Sequence, residues 1–127
     1  MNWTIVAAVI LFVVISLVVR ASAGLKAEQA HELLAQGAIV IDVRSKGEFA
    51  AKSIDGVINI PLSELAARIL KAVPDKNRIV LLHCRSGSRS GHGTRILKQL
   101  GYDETYNLGS FGHARKVIET AGAVRTD

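Results

Sequence analysis

Short apolar runs with no polar residue every second position constrain this chain most. The clearest are Ala38-Ile39-Val40-Ile41-Asp42-Val43 and Arg78-Ile79-Val80-Leu81-Leu82-His83; shorter ones are Gly56 to Ile60, closed by Pro61, and Glu104 to Asn107. A strand that reads this way is buried on both faces, which in small domains means a parallel sheet between two layers of helix. The intervening stretches have helical periodicity. Lys26 to Gln36 has apolar residues at 27, 30, 33 and 34, and Gly37 as a stop. Lys46 to Ala51 fits a short helix. Leu62 to Val73 has Ser63 as an N-cap and Pro74 beyond its end. Ser88 to Leu100 places 93, 96, 97 and 100 on one face before Gly101, and Ser110 to Ala121 does the same with 114, 117, 118 and 121. The expected fold class is α/β: a three-layer domain with a mostly parallel sheet of about four to five strands, helices on both faces, and an additional N-terminal hydrophobic helix. Ligands of such sheets bind beyond the C-terminal ends of the strands, where Asp42, Arg44 and Cys84 fall.

Cys84 is the chain's one cysteine, which excludes an internal disulfide and any multi-cysteine metal site. It follows the most apolar strand and opens the loop Cys84-Arg85-Ser86-Gly87-Ser88-Arg89-Ser90, which leads into a helix. Backbone N–H groups curled around such a turn, closed by a helix N-terminus, bind anions and favour a thiolate. Small Ser86, Gly87 and Ser88 permit the tight curl, and Gly87 takes positive φ at little cost. Cys84 is the candidate nucleophile. Arg85, Ser86, Gly87, Ser88 and Arg89 are the candidate substrate-binding residues, Arg89 bracing either the loop or the anion. Net charge is +5, with Arg85, Arg89 and Arg95 in or just after the loop, so a small anionic substrate is favoured. No basic stripe with interleaved aromatics points to nucleic acid. Asp42 and Arg44 read as stabilisers of local turns. His83 should face the opposite side of its strand from Cys84. His92 could face solvent or substrate, and His31 and His113 read as helix-surface residues. No histidine pair has ligand spacing, so neither metal nor cofactor is expected.

Residues 1–23 read as a unit apart from the domain over 24–127. Trp3 to Val19 carries no charge and spans ~26 Å as a helix, near the thickness of a hydrocarbon core. Trp3 suits one interface and Arg20 could snorkel at the other. Basic residues follow the segment and none precedes it, which places the domain in the cytoplasm of a single-pass membrane protein. The competing reading is a signal peptide cleaved after Ala21-Ser22-Ala23, giving a periplasmic or secreted protein.

Several motifs in order resemble the rhodanese-like family of single-domain sulfurtransferases. Ile41-Asp42-Val43-Arg44, Glu48-Phe49, Ile54-Asp55-Gly56 and Asn59-Ile60-Pro61-Leu62 resemble its first signature, and Cys84 to Ser90 resembles its active-site loop. Gly101-Tyr102 and Asn107-Leu108-Gly109 resemble the closing elements. The likeness runs from about residue 25 to about 122. Lys52-Ser53 stands where the family often has Gly-His, Ser110 follows Gly109 where a second glycine is common, and no tryptophan follows. Gly91 and Gly93 replace frequent alanines.

The resemblance implies a persulfide carried on Cys84, taken from thiosulfate or a similar donor and passed to a thiol or cyanide. The protein partner is left open. Two alternatives belong to other classes. Phosphatases and arsenate reductases of the related cysteine-loop type often carry five residues between cysteine and arginine, whereas Cys84 and Arg89 bracket four; the smaller ring suits a single sulfur atom. The other is a membrane-tethered binding module without catalysis.

Overall fold

The computed structural model describes residues 2–124, with the side chains of residues 18–23, 123 and 124 outside the description. The elements run α1 (Trp3–Ala23), α2 (Ala27–Ala35), β1 (Ile39–Asp42), α3 (Lys46–Ala51), β2 (Ile58–Asn59), a 3-10 turn (Leu62–Glu64), α4 (Leu65–Ala72), β3 (Val80–His83), α5 (Ser88–Gln99), β4 (Thr105–Gly109) and α6 (Phe111–Val124). The four strands form one parallel sheet in the order β2-β1-β3-β4. The apolar runs therefore sit where the pattern placed them, with β1 and β3 paired at the centre.

Side chains leave alternate faces of each strand and build two cores. On one face Ile41, Val43, Val80, Leu82 and Cys84 pack with Leu65, Ile69 and Val73 of the α4 region and with Leu97 and Tyr102. On the other, Val40, Leu81 and Leu108 pack with Ala30 of α2 and with Ala114 and Val117 of α6. Gly93 explains one departure from the family pattern. A Cβ there would lie 3.0 Å from Leu82 Cδ1 and 3.2 Å from Leu65 Cδ2, so α5 approaches the sheet closely because the side chain is missing.

Three local expectations are corrected. Ser63 is not an N-cap: Pro61 leads into a 3-10 turn, and α4 starts only at Leu65 with no side-chain cap. Leu100 lies outside the buried face of α5, where Ser90 joins Gly93 and Leu97 instead. His31 and His113 are not idle surface residues. The His31 Nε2 lies 3.0 Å from the Val117 carbonyl, joining α2 to α6, and the His113 Nε2 lies 2.6 Å from the Leu25 carbonyl.

The N-terminal segment is helical, and most of its described apolar side chains are exposed, Trp3 and Phe12 most of all. Among the described residues, however, no helix is long and apolar enough to cross a membrane. The expected snorkelling of Arg20 and the side chains of Ala21-Ser22-Ala23 lie outside the described residues.

After α1 the chain joins the sheet at β4. Gly24 has φ +79°, and a Cβ on it would lie 2.6 Å from the Leu108 carbonyl oxygen, so only glycine fits. Leu25 then donates its N–H to the Asn107 carbonyl at 2.8 Å.

Candidate active site

Strand β3 ends at His83, and the chain turns so that Cys84 sits under its own loop with no exposed surface. The Cys84 N–H donates to the Gly109 carbonyl at 3.1 Å, which fixes the cysteine to the end of β4. Gly87 adopts φ +95° and caps α5. This left-handed residue turns its N–H back onto the Cys84 Sγ at 3.0 Å. The Ser90 N–H and Oγ both lie 3.4 Å from the same sulfur. Burial pushes the thiol pKa up, but the Ser90 hydroxyl, the Ser90 and Gly87 N–H groups and the Ser86 N–H outweigh it. Cys84 therefore titrates below the ordinary value for a cysteine. The physical statement is simple: donors already point where a negative sulfur would be.

The structure places the other expected residues differently from one another. Arg85, Ser86 and Ser88 are exposed around the mouth of the loop, and Ser86 and Ser110 form an isolated antiparallel bridge that ties the loop to the start of α6. The Arg89 guanidinium directs its hydrogen bonds to α3 and not to the sulfur. It donates two hydrogen bonds to Glu48, at 2.7 and 3.0 Å. Glu48 is held in turn by Ser45, in a reciprocal cap at the start of α3. The Arg89 guanidinium holds the Glu48 carboxyl well below the usual carboxylate range, at about 2. Of the two roles open to Arg89, the geometry shows a brace between loop and α3.

Asp42 and Arg44 form a second, fully buried pair. The Arg44 Nε and Nη2 donate to the Asp42 carboxylate at 2.9 and 2.7 Å, and Nη2 also donates to the Lys52 carbonyl at 2.6 Å. They stabilise the turn after β1, in keeping with the expectation. His83 does face away from Cys84, lying edge-on to Phe111 with ring centroids 5.9 Å apart. Burial pushes its pKa down against the pull of Asp42, so the ring stays neutral to lower pH than an exposed histidine. Its buried Nε2 has no hydrogen-bond partner among the described residues, and Asp42 Oδ2 is 3.7 Å away. His92 and Arg95 are exposed on α5, well outside this arrangement.

Sequence reasoning missed three members of the site. Among the described residues Ser90 supplies the one side-chain donor to the sulfur, and its signal was the Ser86-x-Ser88-x-Ser90 repeat entering the helix. Asn107 accepts the Ser90 hydroxyl at 2.7 Å and donates to the Gly87 carbonyl at 3.0 Å, so one amide clamps loop, α5 and β4. No local pattern announces that. Glu48 could have been read from Ser45-Lys46-Gly47-Glu48, the spacing of a capping box, although its pairing with Arg89 could not. Among the described residues no cluster could hold a metal ion.

Comparison with known proteins agrees with this geometry. The family model described as a rhodanese-like domain matches residues 26–111. The chain is 44% identical over 69 residues to the Escherichia coli protein named thiosulfate sulfurtransferase PspE, covering 54% of this chain and 66% of that one. It thus spans just under two thirds of that relative's length. It is 34% identical to the human thiosulfate:glutathione sulfurtransferase, over 61% of this chain and 78% of the human protein. The solved structure described as a rhodanese with anions from E. coli superposes with a TM-score of 0.59 at 39% identity, covering 61% of this chain and 91% of that one. A parallel sheet in this order, a cysteine ringed by amides at the end of its third strand, and a family match across most of the domain converge, and the chain belongs to the rhodanese-like domain family.

Proposed function

We propose that this protein is a sulfurtransferase that carries sulfane sulfur as a persulfide on Cys84. One observation carries the reading: the Cys84 Sγ lies at the focus of the Gly87 and Ser90 N–H groups and the Ser90 hydroxyl. Such a cradle suits a thiolate and, after transfer, a persulfide whose outer sulfur bears the charge. In the first half-reaction the thiolate attacks the outer sulfur of thiosulfate. An S–S bond forms to Cys84, the old S–S bond breaks, and sulfite leaves with the electron pair. The names of the relatives support thiosulfate as donor, and the family supports a thiol or cyanide as acceptor. Ring size and the absence of any second cysteine fit a relay of one sulfur at a time.

The test is direct. Protein treated with thiosulfate and desalted should gain ~32 Da on the Cys84 peptide, with one sulfite released per chain, and should lose the mass to a reductant. No adduct and no sulfite would overturn the reading.

The same proposal takes α1 as a membrane anchor with the domain on the cytoplasmic side. Its support is the uncharged run Trp3 to Val19, the exposure of most of its described side chains, and basic Arg20 and Lys26 following it. Natively expressed chain of full mass in carbonate-washed membranes is the expected result. A mature chain beginning at Gly24 in a soluble periplasmic fraction would overturn it.

A further inference from the structure

We infer that the Ser90 hydroxyl is a two-position donor, turned toward Asn107 while Cys84 carries sulfur and toward the Cys84 Sγ as that sulfur leaves, with Asn107 as its positioning residue. The inference rests on the sulfurtransferase reading and adds which half-reaction the hydroxyl serves. The Ser90 Oγ lies 2.7 Å from the Asn107 Oδ1 and 3.4 Å from the Cys84 Sγ. A serine hydroxyl carries one proton, so it serves one of these acceptors at a time. Ser90 and Cys84 have no exposed surface, and bulk solvent offers the proton no third choice.

Asn107 is held so that its oxygen, not its nitrogen, faces the hydroxyl. Its Nδ2 donates to the Gly87 carbonyl at 3.0 Å, and its Oδ1 accepts the Gly109 N–H at 3.0 Å. Turning the amide over would break both bonds. The Gly109 N–H also keeps the Oδ1 partnered when the hydroxyl swings away, so the move strands no buried acceptor. The grip on Gly87 does not involve the hydroxyl, so the loop keeps its shape in either position.

The charge on Sγ decides which acceptor wins. In the persulfide Cys84–S–S⁻ the inner sulfur is neutral, and the amide oxygen of Asn107 is the better acceptor. In the discharge step the carbon of cyanide attacks the outer sulfur. A C–S bond forms, the S–S bond breaks, its electron pair passes to Sγ, and thiocyanate departs. Sγ is then a thiolate, and a charge-assisted bond from Ser90 outweighs the neutral one to Asn107. Loading runs the other way, because Sγ gives up its charge to the incoming sulfur. A donor that follows charge onto Sγ lowers the barrier to discharge, and the same bond stabilises the ground state of loading. The Gly87 and Ser90 N–H groups are fixed by the backbone and stay on the sulfur throughout. The hydroxyl alone among these donors can rotate.

The test times the two half-reactions of the full chain separately, loading by sulfite release from thiosulfate and discharge by thiocyanate release from cyanide. Both are run at about pH 9.5, above the ordinary cysteine range. Each protein is scored by the ratio of discharge to loading rate constants, so any unfolded fraction cancels. Ser90→Ala should lower the ratio about fourfold, and Asn107→Leu, which leaves the hydroxyl only the sulfur, should raise it about threefold. In the double variant the ratio should equal that of Ser90→Ala, since Asn107 acts through the hydroxyl. A ratio that Ser90→Ala leaves unchanged overturns the inference, as does a shift by Asn107→Leu that is the same with and without the hydroxyl. Should Asn107→Leu fail to fold, the carbon-13 resonance of the Asn107 carboxamide is followed as Cys84 ionises. It should shift in wild type and much less in Ser90→Ala, and equal shifts in the two overturn the inference. Protein that takes up no sulfur overturns the sulfurtransferase reading and this inference with it.

Discussion

The turns after β1 and β3 leave the same edge of the same sheet, one strand apart, yet they are built from opposite materials. The turn after β1 is made of charged side chains: Asp42 holds Arg44, and further along Ser45 holds Glu48. The turn after β3 is made of backbone. Its work falls to the Gly87 and Ser90 N–H groups, and its side chains are small or turned outward. Charges that meet their partners contribute little field beyond the pair. Amides fixed by the fold cannot be neutralised by a neighbouring carboxylate, so they remain available to a developing anion. The arginine of the reactive loop belongs to the first kind, since Glu48 reaches across from α3 to take it.

The most severe test removes the atom on which the contrast depends. Cys84→Ser keeps volume and fold but offers no thiolate at neutral pH, so thiosulfate:cyanide transfer should fall to background, at least about a thousandfold. Unchanged circular dichroism must accompany the loss. Gly87→Ala comes next, because φ +95° strains any residue with a Cβ by about 1–2 kcal/mol. We expect a comparable loss of stability in urea melts and a fall in kcat/KM of about tenfold or more as the Gly87 N–H leaves the sulfur.

The third test separates brace from binder. Glu48→Gln and Arg89→Gln should give matched phenotypes, each with about 1 kcal/mol or less of lost stability, as expected for a half-exposed ion pair. Both should lower kcat more than they raise KM for thiosulfate. A large KM increase in Arg89→Gln alone would break the comparison by making Arg89 an anion ligand. The pair also sets a pH dependence. Glu48 titrates at about 2 when folded, below its value in the unfolded chain, so its contribution is present at neutral pH. It is lost as pH falls from the unfolded carboxylate range through about 2, and the gap in Tm between wild type and Glu48→Gln should close across that window. The smallest effect belongs to Ser90→Ala. Removing that hydroxyl leaves the Gly87, Ser90 and Ser86 amide donors in place, so the pH profile of Cys84 alkylation should move upward and slow the reaction only a few-fold at neutral pH.

Much of this was legible in the chain because it is local. The unalternating runs 38–43 and 78–83 became the central strands, Gly87 took the positive φ its loop required, and Asp42 found Arg44 two residues away. What stayed hidden depends on partners distant in sequence. Glu48 meets Arg89 across 41 residues, and the Asn107 side chain meets Gly87 across 20. His31 and His113 look like surface residues in a helical projection because their partners, Val117 and Leu25, lie at the far ends of the chain. Ser90 was overlooked for a different reason. Attention to amides at 85–89 left out a hydroxyl one position later, where the first turn of α5 aims it back at the sulfur.

The junction at Gly24 and Leu25 gives the molecule a mechanical property. Leu25 is bonded to the backbone of Asn107, and the side chain of that same residue grips the reactive loop. Two hydrogen bonds that meet at the single residue Asn107 therefore connect the chain just after α1 to the ring around Cys84. Trimming the chain past residue 25 removes that connection to the Cys84 loop, so shortened versions of the protein should be made with Gly24 and Leu25 intact.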